Sequence, residues 1–409
     1  MGVREDAQKI WQQAIAAVQP DSAVRRALET ADFTGNVHLV AIGKAAWSMA
    51  NAAFAALGGK IADGVVITKY GHAQGSIGGL QIFEAAHPVP DENSYRATRA
   101  AMELVKPLGK DDTVLFLVSG GGSALFECPL IPESEMADVT KQLLASGADI
   151  VEMNTIRKRL SAVKGGKFAK LCFPAKVFSV VLSDIIGDPL DMIASGPAYP
   201  DASTCETALE IVKKYGLHLS DAAMACLKQE TPKSLSNVET HITGSVRELC
   251  AAAQKEAEGL GYRCTVLTDC LCCQAKEAGS FLASIAATHR DTKTPLAFLA
   301  GGETVVKLTG KGLGGRNQEL ALAAAPGISG FADTAIFSVG SDGTDGPTDA
   351  AGGYVDGETE GKLRALGIRI CDVLQDNDAY HALEKVGCLI HTGPTGTNVN
   401  DFSMVLIKR

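Results

Sequence analysis

Short runs of hydrophobic residues alternate with helix-like segments along the first half of the chain. The strand-like runs lie at 36–43, 64–69, 80–86, 113–122 and 176–184. The segment at 44–57, which follows the first of them, has the apolar spacing of a helix. Strands that are buried on both faces are continuously apolar, as these runs are. The alternation therefore predicts a parallel sheet with helices on both faces.

A polar segment at 231–241 lacks periodicity and predicts a domain boundary. After it the alternation resumes, with strand-like runs at 262–269, 295–302, 305–310 and 334–343. We therefore predict two α/β domains with largely parallel sheets flanked by helices. The first is a Rossmann-like domain at 1–235, and the second lies at 236–409.

Composition and charge narrow the classes of partner. The chain has 409 residues, a formal net charge of −9 and 11 cysteines. A negative charge argues against a nucleic-acid partner, which requires a basic face. An odd number of scattered cysteines indicates reduced thiols and a cytoplasmic location. No apolar run approaches the ~20 residues of a membrane span, so we expect no membrane partner.

Glycines and polar residues follow nearly every predicted strand, where ligands of open parallel sheets bind. One such loop contains Ser119, Gly120, Gly121, Gly122 and Ser123. Three successive glycines allow backbone N–H groups to approach an anion, and the serine hydroxyls are further donors.

Lys44 follows the first predicted strand at a helix start. A cation is unfavourable at that position unless an anion lies nearby. We therefore predict that Lys44 and the Ser119–Ser123 loop bind phosphate.

A helical segment after this loop carries more polar residues. Helical spacing places Asn154, Arg157 and Lys164 near one face. Arg157 can clamp a carboxylate or a phosphate with two hydrogen bonds. Lys158 and Arg159 are typical of solvent-exposed charge. The alternative is that the whole face is solvated.

Carboxylates cluster after the strand at 176–184. Asp184, Asp188 and Asp191 can hold Mg²⁺ or accept a proton from an attacking hydroxyl. The alternative is that they form turns and caps. Ser195 and Gly196 follow in a second loop of small residues.

The segment Gly310–Gly315 satisfies the dinucleotide pattern G-x-G-x-x-G. The acidic residue that the pattern requires is late, at Asp342, and Arg316 at the next helix start suits an anion better than a ribose. The Walker A pattern is absent from the sequence. An NAD(P)-dependent reductase and a non-catalytic sensor of small anions are two functions that these patterns leave open.

Taken together and in this order, the loops resemble those of the glycerate 2-kinase family, the type-2 glycerate kinases with a C-terminal MOFRL domain. The stretches that carry the resemblance lie at 42–50, 65–72, 84–92, 117–127, 154–169, 181–201, 300–322, 340–357 and 391–402. The resemblance implies two α/β domains with an active site in the cleft between them. It also implies transfer of the ATP γ-phosphate to the 2-hydroxyl of D-glycerate with a divalent ion, Mg²⁺. Some members carry the name hydroxypyruvate reductase, which keeps the NAD(P)H-dependent alternative open.

The resemblance assigns catalysis to Lys44 and Arg316, and we add Asp184 as the proton acceptor, with Asp188 as the alternative. We expect Asp188 and Asp191 to hold Mg²⁺. The residues expected to bind ATP or glycerate are Ser119, Gly120, Gly121, Gly122, Ser123, Asn154, Arg157, Lys164, Gly165, Ser195, Gly196, Glu303, Asn317, Asp342, Asp345, Thr395 and Asn398. The sequence leaves a homodimer open.

Overall fold

The computed structural model describes residues 2–409, and its strands form two six-stranded sheets. The strands are β1 (Val37–Ile42), β2 (Ile61–Lys69), β3 (Gln81–Ala85), β4 (Thr113–Val118), β5 (Lys176–Leu182), β6 (Val238–Gly244), β7 (Arg263–Leu271), β8 (Leu296–Gly302), β9 (Thr334–Gly340), β10 (Gly352–Asp356), β11 (Leu389–Ile390) and β12 (Asp401–Ile407).

Helices surround both sheets. They are α1 (Val3–Ala17), α2 (Pro20–Glu29), α3 (Ala46–Leu57), α4 (Glu92–Val105), α5 (Gly122–Leu125), α6 (Glu133–Ala145), α7 (Ile150–Leu160), α8 (Lys167–Cys172), α9 (Cys205–Tyr215), α10 (Asp221–Leu227), α11 (Val246–Gly259), α12 (Ala275–Thr288), α13 (Arg316–Ala324), α14 (Thr359–Ala365), α15 (Ile370–Asp376) and α16 (Ala379–Lys385). Short 3₁₀ turns lie at Gly58–Lys60, Ile193–Ser195 and Ala325–Ile328. No described helix is long and apolar enough to cross a membrane.

The chain forms two compact units. The N-terminal unit comprises residues 23–183 and 188–243, and the C-terminal unit comprises the described residues up to 22 together with 184–187 and 244–409.

The N-terminal unit is built on a sheet of order β3-β2-β1-β4-β5-β6. The pairs β3–β2, β2–β1, β1–β4 and β4–β5 are parallel. Every residue of β1 and β4 is buried, as their continuous apolar sequences require. Because β1, β4 and β5 are neighbours, the loops that follow them meet at one edge of the sheet.

The C-terminal unit has a sheet of order β11-β10-β9-β12-β8-β7. β7 and β8 are parallel, whereas β12 is antiparallel to β8 and β9, and β10 is antiparallel to β9 and β11. Strands β7, β8, β9 and β11 thus run one way, and β10 and β12 run the other way. The predicted fold class of two α/β domains with flanking helices is confirmed. The first sheet is largely parallel as predicted, whereas in the second sheet four strands share a direction and four of the five neighbouring pairs are antiparallel.

Helix α1 packs in the C-terminal unit, against α11. Trp11 contacts Phe337 edge to face with ring centroids 5.3 Å apart. The buried Asp6 carboxylate accepts hydrogen bonds from the Tyr262 hydroxyl at 2.7 Å and the Lys408 ammonium at 2.6 Å. The predicted N-terminal domain, 1–235, included this helix. The sequence pattern of a helix does not indicate which distant part of the chain the helix packs against.

The predicted strand at 305–310 is wrong. This segment is a loop with one isolated bridge, between Gln274 and Val305. Its apolar side chains are not buried between helices, since Val305 and Leu308 are exposed.

Candidate active site

Two loops at the carboxyl edge of the first sheet are hydrogen-bonded to each other: the loop after β1, which contains Lys44, and the glycine loop after β4, Ser119–Ser123. The Lys44 amide donates to the Gly120 carbonyl at 2.9 Å, and the Ala45 amide donates to the Ser119 hydroxyl at 3.1 Å. Gly43 has a φ of 111°, and a Cβ there would lie 2.3 Å from the Ser119 Oγ. The close approach of the two loops therefore requires glycine at position 43.

The glycine loop presents a row of free amides. Within residues 2–409, the backbone N–H groups of Gly120, Gly121, Gly122 and Ser123 have no hydrogen-bond acceptor. Successive amides without partners form a concave donor site for an anion. The helix that follows, α5, has only four residues, so the amides themselves supply most of the attraction.

Lys44 lies beside this row. Its Cγ and the His87 ring lie 3.2 Å and 3.1 Å from the place where a Cβ on Gly121 would stand. Within the described residues the Lys44 ammonium has no hydrogen-bond or ion-pair partner. A half-buried cation and a row of free donors together form an electropositive site.

His87 was not among the predicted site residues. Partial burial, and then the charges of Lys44, Lys69 and His72, lower its pKa below the ordinary value. The imidazole is therefore neutral at neutral pH and can accept a hydrogen bond. Its only sequence signal was its place after the predicted strand at 80–86.

Ser123, Ser195 and Asn154 form a chain of hydrogen bonds. The Ser123 and Ser195 hydroxyls are 3.1 Å apart, and the Ser195 hydroxyl donates to the Asn154 Oδ1 at 3.0 Å. Arg157 donates to the Ser123 carbonyl at 3.4 Å, while its buried Nε has no acceptor in the described part of the chain. The structure thus places the predicted Asn154, Arg157 and Ser195 beside the glycine loop.

The turn at Gly165 and Gly166 is hydrogen-bonded to the turn at Ser195 and Gly196. The Gly165 amide donates to the Ser195 carbonyl at 3.0 Å, and the Gly166 amide donates to the Gly196 carbonyl at 2.7 Å. Their polar groups support the loop around Ser195 rather than extend the row of free donors.

Lys164 lies behind the glycine loop and not in contact with solvent. Its side chain is fully buried, and its ammonium donates to the carbonyls of Ser123 at 2.8 Å and Phe126 at 3.1 Å. The Glu127 carboxylate lies 3.6 Å away. Burial lowers the pKa of Lys164 to about 8 despite this carboxylate. The geometry differs from the predicted direct contact with ATP, because all three N–H groups are directed into the protein.

The expectation that Lys158 and Arg159 are solvent-exposed is wrong. Both side chains are buried, and the Lys158 ammonium lies 3.2 Å from Asp191 and 3.2 Å from Asp201. Arg159 pairs with Glu230 at 3.2 Å. These acidic partners lie more than 30 residues further along the chain, beyond the reach of helical spacing.

The three aspartates after β5 have different environments. Asp191 is paired with Lys158, as described. Asp188 has a φ of 52°, and its buried Oδ1 has no hydrogen-bond partner within residues 2–409. Asp184 belongs to the short segment of the C-terminal unit, and its carbonyl accepts from Asn400 at 3.2 Å.

Arg316 opens helix α13 in the C-terminal unit and is held by two carboxylates. Its Nε and Nη2 donate to Asp401, and its Nη1 lies 2.9 Å from Glu303. A guanidinium has five N–H groups, so two are left for a ligand. Burial raises the pKa of Asp401 to about 6 and outweighs the opposing effect of Arg316. Asp401 was not among the predicted site residues.

The other predicted residues of this unit have structural partners. Asp345 caps α13, since its carboxylate accepts the amides of Asn317 at 3.2 Å and Gln318 at 2.8 Å. Asn317 is buried and accepts from the Ser338 hydroxyl at 2.5 Å.

Three predicted residues lie in the polar loops near β9 and β12. Asp342 accepts the Thr344 amide at 3.0 Å, and its carbonyl accepts the Thr395 amide at 3.2 Å. The exposed Asn398 accepts the Asn400 amide at 3.4 Å. These contacts shape the loops and leave Asn398 accessible.

The segment Gly310–Gly315 differs from the first glycine loop in its hydrogen bonding. The amides of Gly310 to Leu313 donate to Asn377, Asp376 and Asp378. A Cβ on Gly310 would lie 2.3 Å from the Asp376 Cα. These glycines allow close packing against the turn before α16, and their amides are not available to a pyrophosphate. The local support for an NAD(P)-binding site is therefore lost.

The fold defines the chain as an α/β protein, and the free donors at 120–123 would suit a small anion. The model of the domain of unknown function DUF4147 matches residues 6–228, and the model of the MOFRL family matches 296–401. The D-glycerate 2-kinase of Thermotoga maritima is 53% identical, over 98% of this chain and 97% of its own length. The glycerate 2-kinase of Pyrococcus horikoshii is 39% identical, over 100% and 98%. The crystal structure of a glycerate kinase from Thermotoga maritima superposes with a TM-score of 0.94 over 98% of this chain and 99% of that one, at 52% identity. The chain therefore belongs to the glycerate 2-kinase family with a C-terminal MOFRL domain, as the sequence predicted.

Proposed function

We propose that this chain is an ATP-dependent glycerate 2-kinase that forms 2-phosphoglycerate and ADP from D-glycerate. The observation that carries the proposal is the row of free amides at Gly120–Ser123 beside the unpaired Lys44 ammonium. The choice of substrate is supported by the relatives with 53% and 39% identity, which are a D-glycerate 2-kinase and a glycerate 2-kinase.

Charge stabilisation is the main task in phosphoryl transfer. The amides at 120–123 would bind phosphate oxygens without any protein acceptor to displace. Lys44 would stabilise the charge that develops on the transferring group. The two remaining N–H groups of Arg316 would donate to oxygen atoms of a ligand. Arg157, with its free Nε, is suited to a second anionic group, such as the glycerate carboxylate.

The described residues fit a magnesium ion that is bound mainly by the nucleotide. No group of three His, Cys, Asp or Glu residues that could hold a metal occurs within residues 2–409. Asp188 has a buried oxygen without a partner, whereas Asp191 is paired with Lys158. Mg²⁺ commonly uses one or two carboxylates together with substrate phosphates. Asp188 would therefore be its main protein ligand, and the ion would neutralise phosphate charge.

The transfer needs an acceptor for the hydroxyl proton. In the proposed step the 2-hydroxyl oxygen of glycerate forms a bond to the γ-phosphorus, and the bond from that phosphorus to the β,γ-bridging oxygen breaks. The hydroxyl proton passes to a carboxylate. We assign this role to Asp184, since Asp188 is the better candidate for Mg²⁺.

The test is ADP formation by the purified protein with ATP, Mg²⁺ and D-glycerate, with the product identified by NMR. Glycerate-dependent ADP with phosphorus on the 2-oxygen would support the proposal. Oxidation of NADH by hydroxypyruvate without ADP formation would refute it in favour of a reductase. Lys44→Ala is the matched negative control for contaminating kinases.

A further inference from the structure

A pocket of about 700 Å³ lies in the C-terminal unit beside the Gly310–Gly315 segment. Its volume is in the range of small-molecule sites. Its apolar lining comes from Val305, Val306, Leu308, Pro347 and Ile186. The phosphate-binding role proposed for the Ser119–Ser123 loop does not use it.

Large apolar side chains in this pocket are exposed. Leu308 is 80% exposed and Val305 is 53% exposed. Hydrogen bonds hold the backbone of this loop: the Val305 amide donates to the Cys273 carbonyl at 3.1 Å, and the Ala275 amide donates to the Val305 carbonyl at 2.9 Å. Next to Leu308, the Lys307 carbonyl accepts from the Asn377 side chain at 3.2 Å. Apolar side chains held in a concave, ordered loop indicate a bound apolar group.

The polar groups of the pocket suit an uncharged ligand with hydroxyl groups. Glu303, Glu319 and Asp345 line it, against the single cation Arg316. Each oxygen of the half-exposed Glu303 carboxylate has one protein partner, Arg316 at 2.9 Å and Asn400 at 3.2 Å. A carboxylate oxygen can accept a second hydrogen bond, as from a ribose hydroxyl.

Phosphates do not fit the inner part of this pocket. The amides of Gly310–Leu313 already have acceptors on the turn before α16. The excess of carboxylates opposes an anion there. A planar, uncharged base with a ribose is thus the part of a nucleotide that this pocket can take.

We propose that the pocket binds the adenosine half of the nucleotide, with the base against Leu308 and Val305 and the ribose hydroxyls on Glu303. This inference rests on the proposed kinase function and adds to it the subsite for the nucleoside. It assigns recognition of the base to the C-terminal unit.

Leu308→Gln tests the proposal, because it removes an apolar contact without adding charge at an exposed position. Leu366→Gln is the matched control, since Leu366 is 57% exposed in the same unit and outside the pocket. Isothermal titration would measure the dissociation constants of ADP, adenosine and inorganic tripolyphosphate for the full chain. We expect Leu308→Gln to weaken ADP and adenosine about tenfold. Tripolyphosphate affinity should be unchanged, and Leu366→Gln should behave as the wild type.

Unchanged ADP and adenosine affinities in Leu308→Gln would overturn the inference, as would an equal loss of tripolyphosphate affinity. A change in sedimentation coefficient without a change in nucleotide affinity would assign Leu308 to a contact with a second copy and also overturn it. Titrations do not depend on turnover. A wild type that binds ADP through Leu308 but makes no glycerate-dependent ADP would refute the kinase proposal and leave the adenosine site standing.

Discussion

Lys164→Met should destabilise the N-terminal unit rather than abolish a direct contact with ATP. The substitution keeps an unbranched side chain but removes the donor to the Ser123 and Phe126 carbonyls. It also leaves the buried Glu127 carboxylate without its cation. Removal of one partner from a buried ion pair costs about 3–5 kcal/mol, so we expect a loss of this order in the free energy of unfolding.

The two tryptophans allow this loss to be measured in the relevant unit. Trp11 lies in the C-terminal unit and Trp47 in the N-terminal unit. In a Trp11→Phe background, fluorescence during urea unfolding reports on Trp47 alone. Lys170→Met on α8 is the control, because exposed substitutions usually change the free energy of unfolding by no more than about 0.5 kcal/mol.

A double variant separates the ion pair from other effects. Glu127→Gln removes the charge but keeps an acceptor for the Cys128 amide, which donates to the Glu127 Oε1 at 3.0 Å. The double variant Lys164→Met/Glu127→Gln should therefore cost less than the sum of the single changes, by about 0.5–3 kcal/mol. A loss below about 1 kcal/mol in Lys164→Met, together with a large loss of ADP affinity, would contradict the buried role and show that Lys164 contacts the nucleotide.

Three further outcomes follow from the site. Lys44→Ala should lower kcat by at least about a hundredfold and change the ADP dissociation constant far less; equal losses in both would contradict a role in the transition state. Gly43→Ala should cost more than about 2 kcal/mol of stability in urea unfolding because its Cβ would clash, whereas Gly147→Ala, also at positive φ but with open space around it, should cost only about 1–2 kcal/mol. Because the pKa of Asp401 is about 6, this carboxylate loses its negative charge, and Arg316 its partner, as pH falls through that value, so the activity should fall as well. Rates measured across roughly pH 5 to 8 should show this decrease in the wild type, whereas Asp401→Asn should have a lower activity that does not change in this way with pH.

The carboxyl edge of the first sheet was predictable because its strands are continuous apolar runs. Each run ended at the loop that the structure places at the edge, including Lys44 and Ser119–Ser123. Helical spacing could not predict which residue would pair with each polar side chain. Asp201 and Glu230 neutralise Lys158 and Arg159 from more than 40 residues away, so residues assigned to a solvated face are buried.

The C-terminal unit was less predictable for a related reason. Asp345 and Asn317 are polar residues of glycine loops, and the sequence does not distinguish a ligand contact from a helix cap. Only the folded structure shows that Asp345 accepts hydrogen bonds from the α13 amides and that Asn317 accepts one from Ser338. Asp401 sits at the start of β12 and was missed because that strand was not predicted.

The incorrect strand at 305–310 is informative about function. Its apolar residues are typical of a strand, whose apolar side chains are normally covered by protein. In the structure Val305 and Leu308 are exposed in an ordered loop. The local sequence pattern therefore predicts a buried strand where the fold has an exposed loop. Such disagreements are expected at functional sites, where a ligand supplies the missing contacts.

The hydrogen-bond partners of the backbone amides in the two glycine segments, 120–123 and 310–313, distinguish a kinase from a reductase. Both are rich in glycine and both precede a helix. At 120–123 the amides lack acceptors within the described residues, whereas at 310–313 they donate to the turn before α16. Buried or half-buried amides need partners, so the first segment calls for an anion and the second does not. A reductase would need the opposite arrangement, with the dinucleotide pattern free to bind a pyrophosphate.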